Sequence, residues 1–148
     1  MAPTLQKILL TPDARPKVLA DCQTLIEQEV AEKSGASGVA IKLAYKTATS
    51  FAPGYVRKTL EDMLPQIVDK LEPYWADFAA SGGSEFGDYL SKRGPQVSED
   101  LLSLTDEIAL VSKRPTITKA YRAVRGSAAK HVEAALPRVG DLVMRYAA

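Results

Sequence analysis

The fold is decided by residues 115–146, which read PTITKAYRAVRGSAAKHVEAALPRVGDLVMRY. Apolar or small side chains recur in this stretch at Ile117, Tyr121, Val124, Ala128, Val132, Ala135, Val139, Leu142 and Tyr146. They span 29 residues in eight steps, close to the period of about 3.6 residues of an α-helix. Gly126 and Pro137 are expected to weaken or bend this helix without changing the face that it buries. The stretch therefore predicts a long C-terminal helix, with a kink expected at one of these residues.

The first part of the chain shows the same helical period. Thr11-Pro12 is expected to cap and open a helix that ends at Gly35. Ser37 is expected to cap the next helix, which runs to about Phe51.

The middle of the chain continues the pattern. Apolar positions between Val56 and Phe78 keep one register across Pro65 and Pro73, where we expect a kink or a restart of the helix. Two shorter helices are expected after the 80–84 loop, the first capped by Ser84 and the second opening at 94–95. Since no stretch alternates with a period of two, we predict an all-α, single-domain bundle of five to seven helices over residues 1–148.

The composition is that of an ordinary globular domain. The chain has 148 residues, 46% of them apolar and 25% charged, and one cysteine, which excludes an internal disulfide and a multi-cysteine metal site. The longest run without a charged residue, 47–56, has ten residues, about half of what spans a bilayer. We therefore predict a cytoplasmic protein with no secretion signal, no membrane partner, no metal and no cofactor.

The charges are unevenly distributed. Residues 1–112 carry 11 basic and 16 acidic side chains, whereas residues 113–148 carry 8 basic and 2 acidic ones. A basic stripe is predicted opposite the apolar face of the last helix at Lys119, Arg122, Lys130, Arg138 and Arg145, with Arg125 at its flank. Its expected counter-charges are Glu27, Glu29, Glu32, Asp62 and Asp69. Because this balance lies within the molecule, nucleic acid is an unfavoured partner.

The stretch EKSGASGVAIKLAYKT, residues 32–47, has three interpretations. A phosphate-binding loop is disfavoured because a helix precedes it and no Gly-Lys-Ser/Thr ending follows. The spacing of Ala31, Gly35 and Ile41 resembles a helix-turn-helix signature, but the second helix lacks long donors at its start. A structural joint, with Ala40 and Ala44 buried against a neighbouring helix, is the favoured interpretation. The nucleic-acid alternative would use Lys42, Lys46, Lys119, Arg122, Arg125 and Lys130.

Half of the ten aromatic residues lie between positions 74 and 89. A core cluster is the favoured interpretation of this stretch, and an apolar pocket with acidic residues at its rim is the functional alternative. That pocket would comprise Tyr74, Trp75, Phe78, Glu85, Phe86, Asp88 and Tyr89. His131 and Cys22 lack partners at catalytic or metal-ligand spacing and are expected to be structural.

Four stretches together resemble a family of short helical proteins of unknown function from high-GC Gram-positive bacteria (actinobacteria). They are LLTPDARPKVLADC, EKSGASGVAIKLAYK, LEPYWADF with GDYL, and KHVEAALPRVGDLV. The resemblance implies a helical, cytoplasmic protein and supplies no catalytic residue.

We therefore predict a protein that acts by binding to itself, to a partner protein or to a small apolar ligand, with no catalytic residues evident. Two alternatives stay open: a nucleic-acid-binding protein that uses the basic residues, and an enzyme with a polar cleft near the 74–89 aromatic cluster.

Overall fold

The computed structural model describes residues 3–51, 54–111 and 114–147, except the side chains of residues 51, 111 and 117. This part of the chain forms seven α-helices and no strand, which confirms the predicted all-α class and helix number. The helices are α1 (Leu5–Leu9), α2 (Arg15–Glu32), α3 (Gly35–Phe51), α4 (Tyr55–Ser81), α5 (Phe86–Ser91), α6 (Gly94–Val111) and α7 (Pro115–Ala147).

Helix α7 is the axis of the bundle. It has 33 residues and packs against α2, α3, α5 and α6. Helix α2 runs antiparallel to its second half, because Asp21 contacts Tyr146 and Glu29 contacts Arg138. Helix α3 then continues along the first half of α7, starting beside His131.

The buried face of α7 is wider than the sequence pattern indicates. Val124, Ala128 and Leu142 are buried as predicted, but Leu136 and Val143 are also buried, at 0% and 2% exposure. These two residues are buried because α7 has neighbours on several sides rather than on one. Leu136 is more completely buried than Val132 and Val139, which the periodic pattern includes.

Several predicted helix boundaries are wrong by a few residues. Helix α2 begins at Arg15 rather than Pro12, because the Thr11 hydroxyl accepts a hydrogen bond from the amide of Ala14 and closes a separate turn. Helix α2 ends at Glu32, and Gly35 has the left-handed φ of 75° that glycine favours but opens α3 instead of ending α2. Helix ends depend on local capping contacts, which the apolar period does not specify.

Two predicted caps are also wrong. Ser37 lies inside α3, two residues after its start, and its hydroxyl contacts the His131 ring. The residue that precedes α5 is Glu85, not Ser84, and its side chain makes no capping hydrogen bond.

The prolines do not divide the long helices. Helix α4 continues for 27 residues through Pro65 and Pro73, and α7 continues through Pro137. Of the two outcomes predicted at Pro65 and Pro73, the restart is therefore wrong, and the kink stays a prediction. Each proline removes one helical hydrogen bond, and tertiary packing of the flanking turns compensates for this loss.

Helices α5 and α7 approach each other through glycine. A Cβ atom on Gly140 would lie 2.1 Å from the backbone nitrogen of Gly87, and one on Gly87 would lie 2.8 Å from the carbonyl oxygen of Pro137. Only a residue without a side chain fits at these two positions with the helices this close.

Candidate functional site

A cavity of about 390 Å³ lies between α2, α4, α6 and α7. Helix α4 contributes more lining residues than any other helix, from Tyr55 to Leu71, a span of about 24 Å at 1.5 Å per residue. The cavity is partly open and its surface is almost entirely apolar. Its wall consists of Leu9, Val18, Cys22, Leu25, Ile26, Tyr55, Val56, Thr59, Leu60, Met63, Leu64, Ile67, Val68, Leu71, Leu101, Leu102, Thr105, Val132, Val139, Leu142 and Val143.

A second space of about 160 Å³ shares Tyr55, Thr59, Met63 and Thr105 with the first. It extends toward the end of α6 and the start of α7, where Ile108, Ala109, Thr118 and Tyr121 line it. The two spaces are therefore neighbours along α4, and together they form an elongated apolar site. We call the two together the α4 cavity.

The α4 cavity has no charged side chain in its wall as far as the described residues show. Burial, with a smaller contribution from Asp21, raises the pKa of the Cys22 thiol to about 11, so this sulfur stays protonated and unreactive. The Thr105 hydroxyl already donates to the Leu102 carbonyl at 2.9 Å. Among the described residues, the wall thus offers shape and apolar surface and contains no carboxylate, imidazole or ionised thiol.

Thr118 is an exception in the wall of the smaller space. Its hydroxyl oxygen is buried and has no hydrogen-bond partner in the structure. A buried hydroxyl without a partner costs free energy, so Thr118 lowers the stability of this part of the fold.

A polar network lies beside this end of the cavity. The Tyr121 hydroxyl donates to Asp106 at 2.5 Å, and the Arg125 guanidinium donates to the same carboxylate at 2.8 Å. These two hydrogen bonds, the one from Arg125 first, lower the pKa of Asp106. Arg125 also pairs with Glu99 at 3.2 Å, so its charge is balanced within the molecule.

The aromatic residues between 74 and 89 pack against one another. The Trp75 and Phe86 rings meet edge to face at 5.1 Å, and Phe78 lies 5.1 Å from Phe86 and 5.7 Å from Tyr89. Tyr74 is buried and donates to Asp100 at 2.5 Å, whereas Glu85 and Asp88 are exposed. None of these residues lines the α4 cavity. The pocket predicted at these positions therefore stays a prediction.

The residues of the nucleic-acid alternative do not converge on one site. Lys42 and Lys46 are exposed on α3, and Lys119, Arg122 and Lys130 are exposed on α7, while Arg125 is paired with Asp106 and Glu99. A recognition helix would also need its first turn free for base contacts. In α3 this turn packs against α7, since Ser37 contacts His131.

Arg138 binds the acidic residues of α2. Its guanidinium pairs with Glu29 at 2.5 Å and with Glu32, both of which were predicted as counter-charges. Arg138 is consequently only partly exposed, in contrast to the fully exposed stripe expected at this position.

Two further findings concern the kinds of site that the described residues allow. No group of three or more His, Cys, Asp or Glu side chains converges within residues 3–51, 54–111 and 114–147. No helix in this part of the chain is both long and apolar enough to cross a membrane.

The fold and the cavity define a class of protein: an all-α helical bundle with an apolar cavity between its long helices. The chain belongs to a family of unknown function, DUF6918, whose model matches residues 5–147. No curated protein and no solved structure shows a significant match. The comparisons thus identify the family, and the function has to be argued from the cavity and the surface.

Proposed function

We propose that this protein binds an elongated, uncharged apolar ligand in the α4 cavity. The observation that carries the proposal is the size of the cavity: about 390 Å³ of apolar space that the surrounding side chains do not fill. Ligand pockets in proteins commonly have volumes of about 300–1,000 Å³ and mostly apolar walls.

The energetic argument is that an empty cavity of this size is expensive. At about 24 cal/mol per Å³, a void of 390 Å³ would cost up to about 9 kcal/mol. Since the cavity is partly open, this free energy is an upper limit. It is nevertheless comparable to the total stability of a typical domain, about 5–15 kcal/mol. A ligand that fills the space recovers much of that loss.

The wall indicates the chemistry of the ligand. An anionic or cationic group would need a counter-charge, and none of the described residues in the wall carries a charge. The cavity follows α4 from Leu71 to Tyr55, which favours a long, narrow molecule such as a hydrocarbon chain.

The first test is native mass spectrometry of the protein purified from its own host. We expect a bound species that separates from the protein on denaturation. The second test uses N-phenyl-1-naphthylamine, an uncharged apolar dye, and follows its fluorescence as it is titrated against protein that has been stripped of ligand.

A matched pair of variants locates the site. Val132→Phe places a phenyl ring in the cavity wall, whereas Leu110→Phe places one on the exposed side of α6, where Leu110 is 81% exposed. We expect Val132→Phe to reduce dye affinity at least about tenfold and to raise the melting temperature of the unliganded protein, because the phenyl ring fills empty space. Leu110→Phe should change neither. Equal dye binding by the two variants would refute the α4 cavity as the ligand site.

A further inference from the structure

The outer side of α3 combines apolar and basic side chains without any acidic one. Val39 and Leu43 are each 63% exposed, and because they are four residues apart they are neighbours on one face of the helix. Lys42 and Lys46 are exposed beside them. At 100° per residue, these four side chains lie within an arc of about 100°.

The helices around this arc are basic as well. Residues 33–60 carry five basic and no acidic side chains, and residues 113–132 carry six basic and no acidic ones. Helix α3 packs along the first half of α7, where Lys119, Arg122 and Lys130 are exposed. The basic residues of these segments therefore lie on α3, its neighbouring turns and the first half of α7. Two of them are balanced by pairs within the described residues, Lys33 by Glu29 and Arg125 by Asp106 and Glu99.

We propose that the α3 arc formed by Val39, Lys42, Leu43 and Lys46 docks the protein onto an anionic lipid surface. Lysines attract the anionic headgroups, and the two apolar side chains enter the boundary between headgroups and acyl chains. The prediction of no membrane partner rested on the absence of a spanning segment, and peripheral docking by a surface helix does not require one.

Other occupants of this surface fit less well. A symmetric contact with a second copy would place Lys42 and Lys46 opposite the same lysines, with no acidic residue between positions 33 and 60 to balance them. Nucleic acid would use the lysines but would leave Val39 and Leu43 exposed, because phosphates attract cations and give no role to aliphatic side chains. A bilayer uses both kinds of side chain.

None of the described residues that line the α4 cavity belongs to α3. The surface argument does not depend on that cavity, because the charges and exposures of α3 stand without it. The two proposals can therefore fail separately.

The test is co-sedimentation of the full chain with vesicles of phosphatidylglycerol and phosphatidylcholine, compared with vesicles of phosphatidylcholine alone, over a salt series. We expect binding to the anionic vesicles that weakens as salt increases. Replacement of both lysines (Lys42→Gln with Lys46→Gln) should weaken it about tenfold or more, since each basic residue near an anionic surface contributes about a factor of five. Replacement of both apolar residues (Val39→Gln with Leu43→Gln) should weaken it comparably, and glutamine keeps the helix propensity high.

The control is Lys7→Gln with Lys17→Gln, which removes two exposed lysines from α1 and α2. It should retain affinity within about threefold, because charges far from the docking side are screened. If this control and the α3 lysine variant lost the same amount of vesicle affinity, net charge alone would be responsible, and the proposal would be overturned.

Two parallel measurements separate the remaining outcomes. The docking proposal would also be overturned if the parent protein failed to bind anionic vesicles. It would be overturned as well if the parent protein bound duplex DNA more tightly than vesicles at the same salt and the α3 lysine variant lost that binding. Dye binding is measured in the same variants and should be unchanged. If the parent protein binds the vesicles but does not bind the dye, the cavity proposal alone is refuted.

Discussion

The contact between α5 and α7 makes a sharp prediction for Gly140→Ala. In the structure the added Cβ atom would lie 2.1 Å from the nitrogen and 2.2 Å from the Cα of Gly87, and 2.8 Å from the carbonyl carbon of Phe86. All three are backbone atoms, so no side chain can rotate away, and α5 has to shift from α7. Overpacking of this kind costs about 1–3 kcal/mol and occasionally more.

Helix propensity acts in the opposite direction and sets the control. Alanine is favoured over glycine inside a helix by about 0.8–1.0 kcal/mol. At Gly126, also in α7, a Cβ atom would meet nothing within 4 Å. Gly126→Ala should therefore stabilise the protein by up to about 1 kcal/mol, whereas Gly140→Ala should destabilise it by up to about 2 kcal/mol after the same propensity gain is subtracted.

The assay is urea denaturation of the parent and both variants, with thermal melts as a second measure. A change of 1 kcal/mol shifts the melting temperature of a domain of this size by about 2–4 °C, so the two alanine variants should lie on opposite sides of the parent. A Gly140→Ala variant as stable as Gly126→Ala would show that α5 does not pack this closely against α7.

Three smaller predictions concern single side chains. Thr118→Val should raise the free energy of unfolding by about 1 kcal/mol, because it removes a buried hydroxyl without a partner; a loss of stability in urea would mean that the hydroxyl is paired. Ala44→Leu should lower the melting temperature, since Ala44 is partly buried in α3 and overpacking costs about 1–3 kcal/mol; an unchanged melt would place this helix at the periphery. Burial and the charge of Lys33 lower the pKa of His131 below its usual value of 6.5, so the unfolded chain takes up its proton first and stability is lost as the pH falls below that value. The fall in melting temperature between about pH 7.5 and 5.5 should be smaller in His131→Gln, and equal slopes would contradict the assignment.

The sequence determined the fold class and most of the helices. A period near 3.6 residues is a local property, because every turn of an amphipathic helix repeats the same arrangement of apolar and polar residues. For that reason Val124, Ala128 and Leu142 could be placed on the buried face of α7, and the loop after α4 could be found from its glycines. Helix ends were less certain, since Ser37 and Ser84 are acceptable caps in sequence but are not used as caps.

The tertiary structure alone decided where the apolar space lies. The α4 cavity is bounded by side chains from helices far apart in the chain, such as Leu25, Ile67, Leu101 and Val139. In the sequence, each of these residues has the pattern of an ordinary core residue of its own helix. A void is a property of how neighbouring helices fit together, which no single helical pattern contains. The same holds for the pairing of Arg138 with Glu29 and for the surface of α3, where the neighbouring helices leave Val39 and Leu43 exposed.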